Sequence, residues 1–205
     1  MRLCNLLIDH PQICNEESQA LFALMCFQSA RLDSKINEAN ELIDLRFQDR
    51  STYYLPLVFL GHDMMTKATK SGRYTYYHYE AAIAAEHLSA KTFEDTNWEK
   101  IIFWYNKLQH ISPSPFNLLN MAIANLELAQ AEKAKEFLVQ VQPKDLGQMA
   151  YLFHGCMAEY NNSVKNYDEA VNCYAIAITL VKNNSELNYM QNKRQNIIDL
   201  IKRSR

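Results

Sequence analysis

The sequence predicts an all-α fold, a right-handed array of antiparallel helix pairs with about nine or ten helices. Three observations carry this. First, the 205 residues include only 4 glycines and 5 prolines, where glycine usually makes up about 7% of a chain. Few glycines leave few positive-φ turns, so tight hairpins are disfavoured and short helix–helix links are favoured. Second, three amphipathic helical segments recur at a fixed period. Third, capping residues and prolines punctuate those segments where helices should start and stop.

The repeating segments are "TNWEKIIFWYNKL", "QAEKAKEFLVQVQ" and "NYDEAVNCYAIAI". Trp98, Ala134 and Ala170 fall in register, 36 residues apart. Four positions on stand Ile102, Leu138 and Tyr174, and seven positions on stand Tyr105, Val141 and Ala177. That spacing is one face of a helix. Another helical pattern precedes the second and third segments, "FNLLNMAIANLELA" and "QMAYLFHGCMAEY", with small residues at Ala122 and Gly155. A small residue on one helix facing a small residue on the next lets the two cross closely. The arrangement resembles the tetratricopeptide repeat, whose period is near 34, in degenerate form. Trp98 takes the place of the small residue in the first pair, and "NNSVKN" reads as a longer turn in the third. Such repeats make concave surfaces that bind peptides or partner domains.

Each element has its own justification. In residues 1–90 helices are expected near Glu16–Arg31, Asp49–Lys70 and Arg73–Ser89, with "LIDLRFQDR" extended or only partly helical. Leu21, Leu24, Met25, Leu57, Phe59, Leu60, Met64 and Ile83 form the expected core there. Thr96 or Asn97 is placed to cap the helix beginning at Trp98. "SPSP", Ser112 to Pro115, closes that helix and opens the next with an early proline. "QPKD" separates the following pair, Asn166 is placed to cap the helix containing Tyr174, and "KNNSE" precedes a last helix to about Arg203. No Gly/Ser linker divides the chain. A single domain over 1–205 is expected, irregular over 1–90 and built from three degenerate pairs over 91–205.

Composition narrows the function. Lys plus Arg number 21 and Asp plus Glu 23, so the net charge is 21 − 23 = −2. A whole-chain basic footprint for nucleic acid is missing, and no direct DNA binding is expected. The basic residues of "NKRQNIIDLIKRSR" suit a helix C-terminus. The five cysteines, Cys4, Cys14, Cys26, Cys156 and Cys173, include no C-x-x-C. That pattern points to reduced thiols and a cytoplasmic protein rather than to disulfides or zinc. The apolar run "YYLPLVFLG" is too short to span a bilayer, and the N-terminus makes a poor signal peptide. No P-loop, G-x-G-x-x-G or G-x-S-x-G occurs, so no cofactor and no nucleophile elbow are expected.

In order, the chain carries "ALFALMCFQSAR", "LRFQDRSTYY", "YEAAIAAEH", "TNWEKIIFWYNKL", "SPSPFNLLNMAIA" and "YLFHGCMAEY". This succession resembles the C-terminal helical, tetratricopeptide-like extension of certain extracytoplasmic-function-type RNA polymerase sigma factors, over about Leu3 to Leu200. Gln48-Asp49-Arg50, Ala81 to His87 and Ser112 to Asn120 are its strongest pieces. The resemblance implies a non-catalytic regulatory domain that modulates transcription initiation through protein contacts. The implied partners are sigma-factor core domains, RNA polymerase, and small ferredoxin-like proteins encoded nearby. It also implies that two sigma domains precede this region in the family. The chain is then either a piece without its sigma core or a stand-alone gene product. "TNW" departs from the family, where an Asp usually precedes the Trp, and "YTYYHY" is unusually aromatic.

The candidate contact residues are Gln48, Asp49, Arg50, Arg73, Tyr79, Glu80, His87 and Trp104. Glu80 and His87 lie two turns apart on one helix face. A Glu–His pair suits acid–base or metal chemistry, but H-E-x-x-H spacing is absent and a metal needs a third ligand. A helix–helix or partner contact is the expected role. Asp49 is placed to cap a following helix, and Arg50 to pair with a carboxylate elsewhere. Trp98, Ile101, Ile102 and Tyr105 share a core-facing stripe, while Trp104 is placed to anchor a partner. Two further readings compete: a stand-alone tetratricopeptide-type adaptor that binds a peptide in a groove, and, ranked lowest, an enzyme using Glu80 and His87.

Overall fold

The computed structural model describes residues 2–10, 14–37 and 41–203. Among these residues ten α-helices form: α1 Arg2–Asp9, α2 Glu16–Ala30, α3 Leu55–Ala68, α4 Tyr76–Ser89, α5 Trp98–Ile111, α6 Pro115–Glu127, α7 Ala131–Leu138, α8 Tyr151–Ser163, α9 Tyr167–Leu180 and α10 Asn184–Arg203. Short 3-10 turns occur at Leu32–Ser34, Leu45–Phe47, Arg50–Thr52 and Pro143–Met149. No strand forms among the described residues, and the helices pack as antiparallel pairs, as expected. Contacts group into two compact units, Met1–Asn37 with Ile43–Ser112, and Glu38–Leu42 with Pro113–Arg205.

In the first unit α2 is the central helix, packed by α1, α3 and α4. Asn15 and Ser18 cap it reciprocally, each side chain accepting from the other's backbone N–H. Its sequence places Ala20, Phe22, Ala23, Cys26, Phe27 and Ala30 in the core, because small residues let neighbouring helices approach on several sides. Phe27 packs with Ala81 and Ala84 of α4. Its ring also lies over Gly61 of α3, where an added Cβ would stand 2.4 Å from Phe27 Cε1.

Two expectations for α3 are corrected. The helix starts at Leu55, not Asp49, because Tyr54 is extended at ψ 90° and Pro56 sits in the first turn. Phe59 and Leu60 are not core residues, being 69% and 37% exposed. Leu57, Gly61, Met64 and Ala68 occupy the i, i+4, i+7, i+11 stripe that faces inward, which turns Leu55 and Phe59 away. Ile83 is buried as expected, and Leu21, Leu24, Met25, Leu57 and Met64 are half-buried against the core. Helix α4 likewise starts later than expected, at Tyr76, where Thr75 and His78 form a reciprocal cap. Helix α5 packs on α4 and is capped by Asn97, which accepts from the Lys100 N–H. Trp98, Ile101 and Leu108 are its buried stripe.

The second unit shows the period of 36 in its backbone. Asn125 and Asn161 are both buried, and each donates its side-chain amide to the carbonyl four residues earlier, Met121 or Met157. Their own carbonyls accept from Gln130 and Asn166, at 2.9 and 2.8 Å. Between them Ala129 and Lys165 take left-handed φ values of 55° and 62°. The α6–α7 and α8–α9 links are therefore alike, Leu128–Gln130 and Val164–Asn166. This corrects the longer turn expected at "NNSVKN". It also corrects the small-residue register: the mate of Ala122 is Ala158, both fully buried. Gly155 instead approaches α10, where its added Cβ would stand 3.2 Å from Met190 Cε. Asn166 occupies the cap position of α9, but its side chain donates to Asn161 Oδ1 instead of capping. Helix α10 closes the unit by laying Met190 and Ile197 on α9.

Candidate functional site

The first unit brings part of the sequence-selected set together around the end of α4. The Arg50 guanidinium donates through one nitrogen to the carbonyls of His87 and Ala90, at 2.7 and 2.9 Å. Its other terminal nitrogen donates to Thr96 Oγ1 at 3.2 Å. Arg50 therefore caps α4 with a positive charge at the negative end of the helix. The expected carboxylate partner is not what it meets. The 3-10 turn Arg50–Thr52 aims it there, and Asp49 caps that turn by accepting from the Ser51 N–H at 2.9 Å. Asp49 itself is exposed and does not cap α3.

Gln48 fastens the same segment to the end of α2. Its amide oxygen accepts from Arg31 at 2.9 Å and its amide nitrogen donates to the Ile43 carbonyl at 3.1 Å. Tyr54 donates its N–H to the Ala30 carbonyl, which brings Tyr53 beside the α2 terminus. Arg46 lies over the Phe93 ring, 4.2 Å from its centroid, and the rings of Phe93 and His87 both contact Trp98. Burial first, then Arg31 and Arg50, push the His87 imidazole down to about 4. Burial also lowers the Arg31 pKa.

The other selected residues lie apart from this node. Glu80 sits two turns before His87, against the Tyr76 hydroxyl, so the pair does not converge. Tyr79 pairs with Trp104 across α4 and α5, ring centroids 6.2 Å apart, and Trp104 is half-buried. Arg73 is exposed in an open cleft of about 260 Å³ with Asn15, Glu16, Glu17, Thr75 and His78. Among the described residues no cluster of three or more His, Cys, Asp or Glu is placed to hold a metal. All five cysteines are free, and burial pushes Cys26, Cys156 and Cys173 up to about 11, 12 and 11. No described helix is long and apolar enough to cross a membrane.

Arg31 and Tyr53 belong to the node but carry no sequence signal, and Thr96, a cap candidate by sequence, accepts from Arg50 there. Arg31 reads as a basic residue just past a helix end, and Tyr53 as one of a pair of tyrosines. Their place follows from the return of the 43–53 segment onto α2 and α4, a long-range contact that no local pattern encodes.

Comparison with known proteins adds two matches. The sequence model of a family of unknown function (DUF6596) matches residues 1–69. An uncharacterized protein of Rhizobium meliloti (strain 1021) is 30% identical over 178 residues, which is 85% of this chain. The chain spans 41% of the length of that relative. No solved structure matches.

Proposed function

We propose that this chain is a non-catalytic regulatory domain of an alternative sigma factor, acting through contacts with sigma core domains or RNA polymerase. The observation that carries the protein-contact reading is the outer face of α3. Leu55 and Phe59, one turn apart, are 57% and 69% exposed, and neighbouring Tyr54 is 60% exposed. Adjacent exposed apolar side chains of this size mark interaction surfaces. The sigma assignment is supported by the ordered motifs, three of which do structural work: Gln48 to Arg50 pins two helix ends, "YEAAIAAEH" is the body of α4, and "SPSP" opens α6. The greater length of the Rhizobium relative leaves room for further domains in such a protein.

Calorimetry of this chain against sigma core domains from a longer relative tests the reading. Saturable binding that is lost in Phe59→Asp is the expected result. No binding at low salt would reject it. A second reading, a tetratricopeptide-type adaptor for a peptide, is favoured by the repeated α6–α7 and α8–α9 pairs, and would show as peptide capture by residues 113–205 alone.

A further inference from the structure

Independently of that reading, we propose that the node formed by Arg31, Arg50, Tyr53 and His87 is a binding site for a small oxyanion of the phosphate type. Two guanidiniums lie close enough to repel each other, and neither meets a carboxylate among the described residues. Among the described residues the Arg31 side chain bonds only the Gln48 amide, and Arg50 bonds two carbonyls and a hydroxyl. Partly buried charge without a counter-charge is unfavourable. Among the described residues, three buried polar atoms of this group have no partner: Arg31 Nε, the Tyr53 hydroxyl and His87 Nδ1. Tyr53 is 6% exposed.

The chemistry selects the ligand. Arg31 Nε and the tyrosine O–H are donors, and the imidazole Nδ1 becomes one when it carries a proton. A carboxylate lies flat and takes two parallel donors. Donors supplied from the end of α2, the 3-10 turn and the end of α4, together with two positive charges, suit a tetrahedral dianion. Arg31, Arg50 and His87 are each only partly buried, which leaves an approach from solvent. A bridging water would satisfy the dipoles but leave both charges uncompensated.

The charged groups around the imidazole are Arg31 at the C-cap of α2 and Arg50 from the turn, while Glu86 beside it on α4 is paired with Lys100 of α5 at 2.6 Å. The experiment is a pH titration of the His87 ring nitrogens by NMR, in chloride and in sulfate at matched ionic strength. Thermal melting at neutral pH in inorganic phosphate goes with it. The expected result is a His87 pKa raised by about one unit or more in sulfate, with a melting temperature raised by phosphate. Tyr53→Phe should weaken the phosphate response at least about tenfold while keeping the fold, and Arg31→Gln should abolish it. The same His87 titration in both salts would overturn the proposal, as would a phosphate response unchanged in Tyr53→Phe. Acetate matching phosphate at equal concentration would overturn the phosphate-type assignment in favour of a carboxylate.

Discussion

Arg50 satisfies carbonyls that the end of α4 cannot satisfy for itself. Charged donors to such groups contribute about 1.5–3 kcal/mol each. Arg50→Met should therefore cost about 2–4 kcal/mol, read as a shift of the urea midpoint, with Arg50→Lys recovering only part because an ammonium lacks the fork. His87 makes stability depend on pH. Its folded pKa of about 4 lies below the value of 6.5 it has when solvated. Above 6.5 the imidazole is neutral in both states and contributes no slope. As pH falls from 6.5 to 4 the unfolded chain takes up a proton that the folded chain resists, so stability is lost, by up to about 3 kcal/mol. His87→Gln should flatten that part of the stability profile in chloride buffer. At this scale the resemblance to the sigma-factor extension pointed to Gln48, Asp49 and Arg50, with Asp49 read as a helix cap. It did not disclose that Arg50 caps a different helix, because that bond spans 37 residues.

The helix pairs of the second unit are set by their links. Ala129 and Lys165 hold left-handed φ values that strain any residue with a Cβ. Lys165→Gly should stabilise the protein by about 0.5–1 kcal/mol, and Ala129→Gly by a similar amount, measured by thermal melting. Helix α3 shows the opposite constraint. Its Gly61 lies under the Phe27 ring, and Gly61→Ala would force a Cβ to within 2.4 Å of it. Overpacking of this kind costs about 1–3 kcal/mol, so the variant should melt lower. Helix existence was legible here because the apolar stripes repeat with a period close to 3.6 residues. Starts were less so, since Tyr54 and Thr75 begin α3 and α4 through backbone conformation and a reciprocal cap rather than through an early Asp or Arg.

For the whole molecule, each unit holds its own core: Phe27 with Ala81 and Ala84 in one, and Tyr174, Leu138 and their neighbours in the other. A fragment 113–205 should accordingly fold alone, with a cooperative helical melt by circular dichroism. The exposed α3 face makes a complementary prediction. Phe59→Asp should leave the stability within about 0.5 kcal/mol of the parent, as surface changes usually do, while removing partner binding.

Helical class, the 36-residue period and the approximate number of helices were all determined by the sequence alone. They rest on glycine content, stripe spacing and caps, which act over a few residues. Tertiary structure decided which side of α3 is buried, which small residues face each other across α6 to α9, and that Arg31, Arg50, Tyr53 and His87 meet. Those outcomes depend on how close two helices approach and on segments far apart in the chain folding back together. A close approach such as Gly61 under Phe27 is a property of the pair, and neither residue carries it alone.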